Sequence, residues 1–373
     1  MAAAMPQCVR ALARVDLGAI ERNCARLATA AAPARLCAVV KADGYGHGAV
    51  PAARAALAGG APWLAVATAR EAADLRAAGI DAPLLVMGAL TASELDVAVD
   101  ARADVVAWEE DFAAAVAARA PADGIGVHVK LDTGMGRLGT RDVEQATRVA
   151  EAVTAADRLR LAGAMTHFAT ADEDDPAFTR EQLAAFRPWA SGLAAEHPGL
   201  LVHAANSAAA LREPAARFDL VRCGIAVYGM DPFHRDPAAH GLEPALELSS
   251  YVAAVKRCRP GESAGYGRRF VAERETWIGT IPIGYGDGVR RGLTNNADVL
   301  VAGRRVPLVG TVSMDNITVD LGPDPPPRGA EAVLIGARGG DRILAEDLAA
   351  RLGTINYEIT CGISARVPRE HHR

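Results

Sequence analysis

An alternation of short apolar segments and longer helical segments constrains the fold of this chain most. From residue 36 to residue 229, each apolar or β-branched run precedes a stretch rich in Ala, Glu and Arg with helical spacing. The predicted strands are 36–41, 63–68, 84–87, 104–108, 126–131, 159–167, 200–205 and 219–222. Eight βα units close a parallel barrel, whereas open doubly wound sheets commonly have about five or six strands. The pattern therefore favours a (βα)8 barrel of the α/β class.

The pattern changes after about residue 242. Strand-like runs broken by Gly and Pro follow at 247–255, 276–283, 298–301, 306–312, 317–321 and 332–335. Long helices are largely missing until 345–352. We therefore predict a barrel domain at 18–240 and a mostly β C-terminal domain at 241–373. We expect the N-terminal segment 1–17, with a strand at 12–17, to pack with the C-terminal domain.

Composition excludes several classes of function. With 40 Lys+Arg against 45 Asp+Glu, the net charge of −5 gives no basic surface for nucleic acid or an anionic membrane. The uncharged stretch 55–69 contains two glycines and a proline and is shorter than the ~20 apolar residues of a membrane span. Residues 1–7 lack a basic start leading into an apolar run, so no secretory signal is predicted, and a cytoplasmic location is expected.

The cysteine pattern indicates reduced thiols. The six cysteines are Cys8, Cys24, Cys37, Cys223, Cys258 and Cys361. No Cys-x-x-Cys pair occurs, which argues against a disulfide framework and against a zinc site. We expect most of these thiols to be buried.

Polar residues gather at the carboxyl ends of the predicted barrel strands, where such barrels carry their chemistry. The main ones are Lys41, Lys130, Arg137, His167, Ser207 and Arg222. A lysine at the edge of a barrel core must extend to water, pair with a carboxylate, or react covalently, because burial favours its nucleophilic free amine. Lys41 is therefore a candidate nucleophile.

Two further motifs have more than one interpretation. Ser207 opens a predicted helix, and Gly224 with Ile225 follows the last barrel strand; together they would suit a phosphate, although Ser207 could equally be a helix cap. The run Gly134-x-Gly136-x-x-Gly139 matches the dinucleotide fingerprint. That match is weak, because it occurs in the fifth βα unit and contains an arginine.

Eight short stretches in a fixed order identify a resemblance that runs nearly end to end. They are AVVKADGYGHG at 38–48, KLDTGMGRLG at 130–139, MTHFA at 165–169, RCGIAVYG at 222–229, AGYG at 264–267, GYGDG at 284–288, GTVSMD at 310–315 and INYE at 355–358. Together with the barrel and the β domain, they resemble the alanine racemase family of pyridoxal-phosphate enzymes. Cys223, where proline is frequent, and Gly286, where alanine is usual, depart from the family pattern.

The resemblance implies a pyridoxal 5'-phosphate cofactor. Lys41 would bind it covalently. Arg222 would face its pyridine nitrogen, with His167 beside the ring. The residues implied around its phosphate are Tyr45, Ser207, Gly224, Ile225 and Tyr357.

The resemblance also implies an isomerase that interconverts L-alanine and D-alanine, a source of peptidoglycan precursors. Lys41 and Tyr266 would be the two bases, on opposite faces of the substrate carbon. Arg137 would bind the substrate carboxylate, and a carbamate on Lys130, a lysine that this family often carboxylates, would hold Arg137.

A homodimer is implied as well, with active sites shared across the interface. Tyr266 and Met314 would come from the second subunit, and Tyr285 would narrow the substrate entrance.

Three other functions compete with this one. A basic amino-acid decarboxylase of the same architecture would need a carboxylate opposite the pyridine nitrogen and a catalytic cysteine in the β domain; Arg222 and Tyr266 argue against it. A racemase of serine, or of broad specificity, stays open because a pocket discriminates weakly against one methylene or hydroxyl. A non-catalytic cofactor carrier would leave Tyr266 and the β domain without a role.

Overall fold

The computed structural model describes residues 9–373 of the 373-residue chain. The predictions for the N-terminal signal and for Cys8 lie outside the described residues. The strands are β1 Ala11–Asp16, β2 Arg35–Val39, β3 Trp63–Val66, β4 Leu84–Val86, β5 Asp104–Ala107, β6 Ile125–Lys130, β7 Leu159–Met165, β8 Leu201–His203, β9 Leu220–Cys223, β10 Leu246–Tyr251, β11 Ala254–Cys258, β12 Ser263–Ala264, β13 Phe270–Val271, β14 Thr276–Ile281, β15 Asp298–Val301, β16 Arg304–Pro307, β17 Ile317–Gly322, β18 Glu331–Arg338, β19 Asp341–Ile343 and β20 Arg369–His372.

The helices alternate with the barrel strands and become sparse afterwards. They are α1 Leu17–Ala31, α2 Lys41–Tyr45, α3 Ala49–Ala58, α4 Ala69–Ala77, α5 Ala92–Asp100, α6 Glu110–Arg119, α7 Val143–Ala155, α8 Ala177–Glu196, α9 Ser207–Arg212, α10 Ala345–Leu352 and α11 Asn356–Cys361. Short 3₁₀ helices occur at Pro214–Ala216, Ile225–Tyr228, Pro237–His240, Tyr266–Arg268, Tyr285–Asp287 and Arg291–Leu293.

The eight parallel strands β2 to β9 form a nearly closed barrel in the unit Ile20–Phe233. Consecutive strands from β2 to β8 are neighbours, and β9 pairs with β2. The Asp219 amide donates to the Val202 carbonyl at 3.0 Å, and the Arg222 amide to the Ala205 carbonyl at 2.9 Å, so the last strand also returns to β8. The predicted (βα)8 barrel is confirmed.

The barrel strands form from continuous apolar runs because both of their faces are covered. Every residue of β3, β4, β5, β6, β8 and β9 is buried. Four predicted strands run two residues too far: β2 ends at Val39, β3 at Val66, β7 at Met165 and β8 at His203, whereas the predicted ends are 41, 68, 167 and 205. After β2 the backbone enters a turn with positive φ, which cannot continue the ladder.

The second unit comprises the described residues up to Ala19 and those from His234 onward. Its largest sheet has the order β16-β15-β18-β10-β1-β20, with β19 beside β18. The N-terminal strand β1 pairs antiparallel with β10 and parallel with β20. The other sheets are β11-β14-β17 and β12-β13. This mostly β unit agrees with the predicted fold class.

Two predicted β segments each belong to two sheets. The segment 247–255 is divided into β10 and β11, because the Val252 amide donates to the Ala330 carbonyl and the Ala253 amide to the Thr280 carbonyl. The segment 306–312 stops pairing with β15 at Pro307, and Leu308 then bridges to Val319. In both places the backbone leaves one sheet for another without a turn.

The division between the units follows Phe233, whereas the sequence pattern suggested a boundary after residue 240. Residues 234–240 make contacts within the β unit. The Arg342 guanidinium donates to the Asp236 carboxylate, and the His234 ring lies 6.3 Å from the Tyr357 ring.

The described cysteines agree with the expectation of reduced, mostly buried thiols. Cys24, Cys37, Cys223 and Cys258 are buried and free, and Cys361 is exposed and free. Between residues 9 and 373, no helix combines the length and the hydropathy that crossing a membrane requires.

Candidate active site

Lys41 begins a left-handed turn directly after the first barrel strand. Ala42, Asp43, Gly44 and Tyr45 have φ values of 52°, 52°, 60° and 53°. This region is unfavourable for residues with a Cβ, and non-glycine residues held in it cluster at functional sites. Lys41 itself is partly exposed at this end of the barrel.

Hydroxyl groups and backbone amides converge beside this turn. The Ser207 Oγ accepts hydrogen bonds from the amides of Gly224 at 3.0 Å and Ala226 at 3.4 Å. A Cβ on Gly224 would lie 2.7 Å from Tyr45 Cζ and closer still to the phenolic oxygen, so glycine alone permits this approach. The Ile225 amide donates to none of the residues in 9–373. This donor set suits a phosphate group.

Ser207 is not the cap of α9. The preceding residue, Asn206, is the cap, and its Oδ1 accepts a hydrogen bond from the Ala209 amide at 3.0 Å. The Ser207 hydroxyl therefore faces the loop after β9 instead of the helix backbone.

Arg222 is a buried guanidinium held on two sides. Its Nη1 donates to the His203 carbonyl at 3.1 Å and to His203 Nδ1 at 2.7 Å. Its Nη2 donates to the Thr166 carbonyl at 2.8 Å, the Ala204 carbonyl at 3.1 Å and His167 Nδ1 at 3.3 Å. Within the described chain its Nε has no hydrogen-bond acceptor. Burial lowers the pKa of Arg222 to about 10, so the group stays charged at neutral pH.

The hydrogen bonds of Arg222 fix the protons on two buried histidines. Because a guanidinium only donates, His203 Nδ1 must accept, and the proton of a neutral His203 lies on Nε2. His203 Nε2 lies 2.8 Å from His128 Nδ1, which must then accept. The proton of His128 is on Nε2, 3.3 Å from Asp104 Oδ2. A directed chain of donors thus runs from Arg222 to Asp104.

The charges around this chain keep His203 and His167 neutral and Asp104 ionised. Burial and the Arg222 charge hold the pKa values of both histidines well below the usual range. Burial raises the pKa of Asp104, but bonds from His128 and Arg160 outweigh it, and the net shift is downward.

Lys130 is a buried amine among cations. It is only 4% exposed and forms no ion pair with any described residue. Burial, with Arg222 and Arg137 nearby, lowers the pKa of Lys130 to about 8, although Asp132 opposes the shift. A substantial neutral fraction therefore exists near physiological pH.

Arg137 lies on the loop after β6 and is exposed. Across residues 9–373 its guanidinium forms no hydrogen bond or ion pair, so it is open to an anionic ligand. The loop is anchored by Asp132, whose carboxylate accepts from the amides of Gly134 at 3.1 Å and Gly136 at 3.0 Å. Because these amides already bind a carboxylate, the run of glycines does not act as a dinucleotide fingerprint.

The β unit presents three large side chains to solvent. Tyr266 is 74% exposed, Met314 52% and Tyr285 43%. Tyr266 lies in a short turn between Gly265 and Gly267, both with positive φ, and its carbonyl accepts a hydrogen bond from Thr311 Oγ1 at 2.6 Å. Such exposure is unusual for large apolar groups and is typical of surfaces that bind a partner.

The remaining β-unit residues lie on structured backbone. Asp287 is fully buried; its Oδ2 accepts from the Gly284 amide at 2.9 Å, and Arg10 and Arg366 form ion pairs with Oδ1. This network fixes the turn that carries Tyr285. Tyr357 lies in α11.

The structure brings the barrel residues of the predicted site together at one end of the strands. Lys41, Lys130, Arg137 and Arg222 all act electrostatically on His167. Tyr45, Ser207, Gly224 and Ile225 form the neighbouring cluster.

Sequence reasoning missed several residues of this site. Asp104, His128 and His203 are polar residues inside otherwise apolar strands, and that contrast was a usable signal. Gln182 bonds to Thr133 Oγ1 and to the His167 carbonyl, but nothing in its helix singled it out. In the described region, no group of three or more His, Cys, Asp or Glu side chains is arranged to hold a metal ion.

Two family models match the chain. "Alanine racemase, N-terminal domain" covers residues 15–232, and "Alanine racemase, C-terminal domain" covers residues 245–371. The alanine racemase of Thermobifida fusca (strain YX) is 47% identical over 366 residues, which is 96% of each chain.

Solved structures give the same result. The crystal structure of alanine racemase from E. faecalis has a TM-score of 0.92 at 35% identity and covers 99% of this chain and 100% of its own. The alanine racemase of Streptomyces coelicolor A3(2) has a TM-score of 0.91 at 40% identity, with 97% and 98% covered. The predicted resemblance is confirmed, and the chain belongs to the alanine racemase family.

Proposed function

We propose that this chain interconverts L-alanine and D-alanine with pyridoxal 5'-phosphate bound covalently to Lys41. The cofactor assignment rests on a cluster of hydroxyls and amides that suits a phosphate group and lies beside Lys41. The cluster consists of Tyr45, Ser207, Gly224 and Ile225. Tyr357 is included in the proposed phosphate site on the family resemblance alone.

Arg222 fits the other end of such a cofactor. Its terminal nitrogens are used by protein acceptors, whereas Nε is left to donate to a ring nitrogen. Because Arg222 keeps its proton at neutral pH, it donates a hydrogen bond without protonating that nitrogen. The neutral His167 beside it adds no second positive charge.

Bound pyridoxal phosphate supplies an electron sink that makes the Cα proton of an attached amino acid acidic. Lys41 removes or returns that proton on one face of Cα, and Tyr266 does so on the other. Arg222 keeps the sink shallow, which favours return of the proton to Cα. A decarboxylase would instead need an acidic residue where this chain has Arg222.

Arg137 holds the substrate carboxylate in this proposal. Its guanidinium is exposed and pairs with none of the described residues, which supports that role. The neutral amine of Lys130 can add to carbon dioxide and release one proton, which forms a carbamate. That step replaces a buried cation by an anion among Arg137 and Arg222, and so relieves the repulsion that lowers the pKa of Lys130.

A homodimer completes the proposed site. Tyr266 and Met314 would enter the site of a second copy, with Tyr285 at the substrate entrance. The exposure of these three large side chains supports an interface, since a phenol cannot act as a base at a barrel site while it stands in bulk water. Alanine is the proposed main substrate, and serine is the alternative. The cytoplasmic location stays a prediction.

The chain offers a sharp test of the cofactor position, because it contains only three lysines, Lys41, Lys130 and Lys256. We expect the purified protein to be yellow, and borohydride to fix the cofactor on Lys41. Peptide mapping identifies the labelled lysine. Lys256, exposed on β11, provides the matched control: Lys256→Ala should label normally and Lys41→Ala not at all. A label on Lys130 or Lys256 would end the assignment.

The reaction itself is tested by chirality-resolved turnover over a panel of small L-amino acids. We expect L-alanine to be converted fastest. Loss of carbon dioxide from lysine or arginine, without racemisation of alanine, would favour the decarboxylase.

A further inference from the structure

The carboxylate of Glu71 joins two strand-end loops of the barrel. Glu71 is the third residue of α4, and its Oε2 accepts from the amides of Ala67 at 2.9 Å and Thr68 at 3.1 Å. Its Oε1 accepts from the Ala42 amide at 2.6 Å. Ala42 is the residue directly after Lys41, so one side chain binds both the start of α4 and the first peptide of the left-handed turn.

We propose that Glu71 is a positioning residue for Lys41. By holding the Ala42 amide, it fixes the peptide at which the chain leaves β2 and turns left-handed, and this sets the direction in which the Lys41 side chain leaves the backbone. The inference rests on the proposed function, in which Lys41 carries the cofactor and moves a proton.

The turn needs such support because its conformation is unfavourable. Four consecutive residues have positive φ, and three of them, Ala42, Asp43 and Tyr45, carry a Cβ. The far part of the turn is held by the Ala49 amide, which donates to Asp43 Oδ1 at 2.9 Å, and by the Gly44 amide, which donates to the Val40 carbonyl at 3.0 Å. Glu71 holds the near part, next to Lys41.

Both oxygens of the carboxylate are needed. One oxygen completes the cap of α4, and the other reaches across to Ala42. A glutamine at position 71 has one acceptor oxygen and one NH₂ group, so one of the two sets of amides would face a donor. Glu71→Gln therefore removes one of the two sets of bonds with little change in volume, and Glu71→Ala removes both.

The neighbouring helix provides a matched control. Glu94 is the third residue of α5 and forms the same capping box, with its Oε2 accepting from the Thr91 amide at 2.9 Å. Its described hydrogen bonds reach only Thr91. Glu94 variants therefore lose a cap without touching the turn at Lys41.

The experiment compares the full chain with Glu71→Gln, Glu71→Ala, Glu94→Gln and Glu94→Ala. Amide hydrogen exchange of Ala42, measured without added cofactor, reports the hydrogen bond itself. Borohydride labelling of Lys41 and the pH profile of cofactor absorbance report the lysine, while kcat and KM for alanine report turnover.

We expect Ala42 to exchange about 10-fold faster or more in Glu71→Ala, which removes both carboxylate oxygens, and to be unchanged in the Glu94 variants. Glu71→Ala should label Lys41 more slowly, shift the absorbance profile and lower kcat by about 10-fold or more. In Glu71→Gln these three effects should appear only if Ala42 exchange is also faster. KM should change by less than about threefold, because Arg137 lies on a different loop. Thermal midpoints should fall similarly for Glu71→Ala and Glu94→Ala.

Two results would overturn the inference. Unchanged Ala42 exchange in Glu71→Ala would show that the bond does not hold the turn. Faster Ala42 exchange with normal labelling, absorbance and kcat would show that the turn does not position Lys41. If borohydride labels a lysine other than Lys41 in the unmodified chain, the proposed function fails. The role of Glu71 in positioning a cofactor-binding lysine then fails as well. The exchange data would still show whether Glu71 holds the turn.

Discussion

Gly224→Ala is a direct test of the phosphate cluster. The new Cβ would lie 2.7 Å from Tyr45 Cζ and closer still to the phenolic oxygen, whereas ordinary contacts begin at 3.4 Å, so the ring must move by at least about 0.7 Å. Tyr45 is 6% exposed and its ring lies 5.0 Å from that of Tyr228, which leaves little room. The φ of −110° at Gly224 lies outside the left-handed region, and the close approach to Tyr45 is the contact that an alanine must overcome.

Overpacking of this kind costs about 1 to 3 kcal/mol. If the displaced Tyr45 hydroxyl leaves the cluster, the dissociation constant of pyridoxal phosphate should rise by about 5-fold to about 150-fold. Titration of the cofactor-free chain, followed by absorbance, measures this constant. Urea unfolding of the same sample shows how much of the cost falls on the fold instead.

A matched control and a rescue variant sharpen the Gly224→Ala test. Gly192 lies exposed in α8, and a Cβ added there would meet no atom within 4 Å, so Gly192→Ala should leave cofactor binding unchanged and stabilise the helix by about 0.5 to 1 kcal/mol. Adding Tyr45→Phe to Gly224→Ala removes the closest atom and should restore part of the packing. Wild-type binding and wild-type stability in Gly224→Ala would refute the reasoning.

Three further predictions concern proton transfer, assembly and pH. Tyr266→Phe should slow hydrogen–deuterium exchange at Cα of one alanine enantiomer by about 100-fold or more and affect the other far less; equal losses, seen by NMR, would contradict bases on opposite faces. Mixed Lys41→Ala and Tyr266→Ala chains should regain about a quarter of wild-type activity, since half of random dimers are mixed and each has one intact site; a fully active monomer in sedimentation would contradict a shared site. Burial lowers the pKa of Lys130 from 10.5 to about 8, so the unfolded chain binds more protons between these pH values and the free energy of unfolding rises with pH there. In CO₂-free buffer, Lys130→Met should be more stable than wild type by about 3 kcal/mol at pH 7 and lose that advantage near pH 10.5 in chemical unfolding; parallel pH profiles would argue against a buried, unpaired amine.

The sequence predicted the barrel well because each of its strands is covered on both faces, and a strand buried on both faces consists of a continuous apolar run. The polar residues after those runs were predictable for the same reason: parallel strands bring their carboxyl ends together. Two of the strands that were predicted too long, β2 and β7, have predicted ends at Lys41 and His167, where a polar side chain follows an apolar run without any turn residue to mark the end.

The left-handed turn was not predictable from local preference. Of its four residues only Gly44 lacks a Cβ, whereas Ala42 adopts positive φ with its amide bound to the distant Glu71, and Tyr45 adopts it against its local preference. The cap of α9 was ambiguous for a similar reason, because Asn206 and Ser207 are both good caps. Only the position of Gly224, whose amide donates to the Ser207 hydroxyl, shows that Asn206 is the cap.

The hydrogen bonds from Arg222 through His203 and His128 to Asp104 all point in one direction inside the barrel. Asp104 opens β5 and His203 closes β8, so the chain connects opposite ends of the strands. Reversing it would require two imidazole protons to shift together and would leave the guanidinium facing a second donor. Because the direction is set at the Arg222 end, neutralising Asp104 would weaken the last hydrogen bond, from His128 Nε2, without reversing either ring. A change made at the floor of the barrel would therefore leave the acceptor that His203 presents to Arg222 as it is.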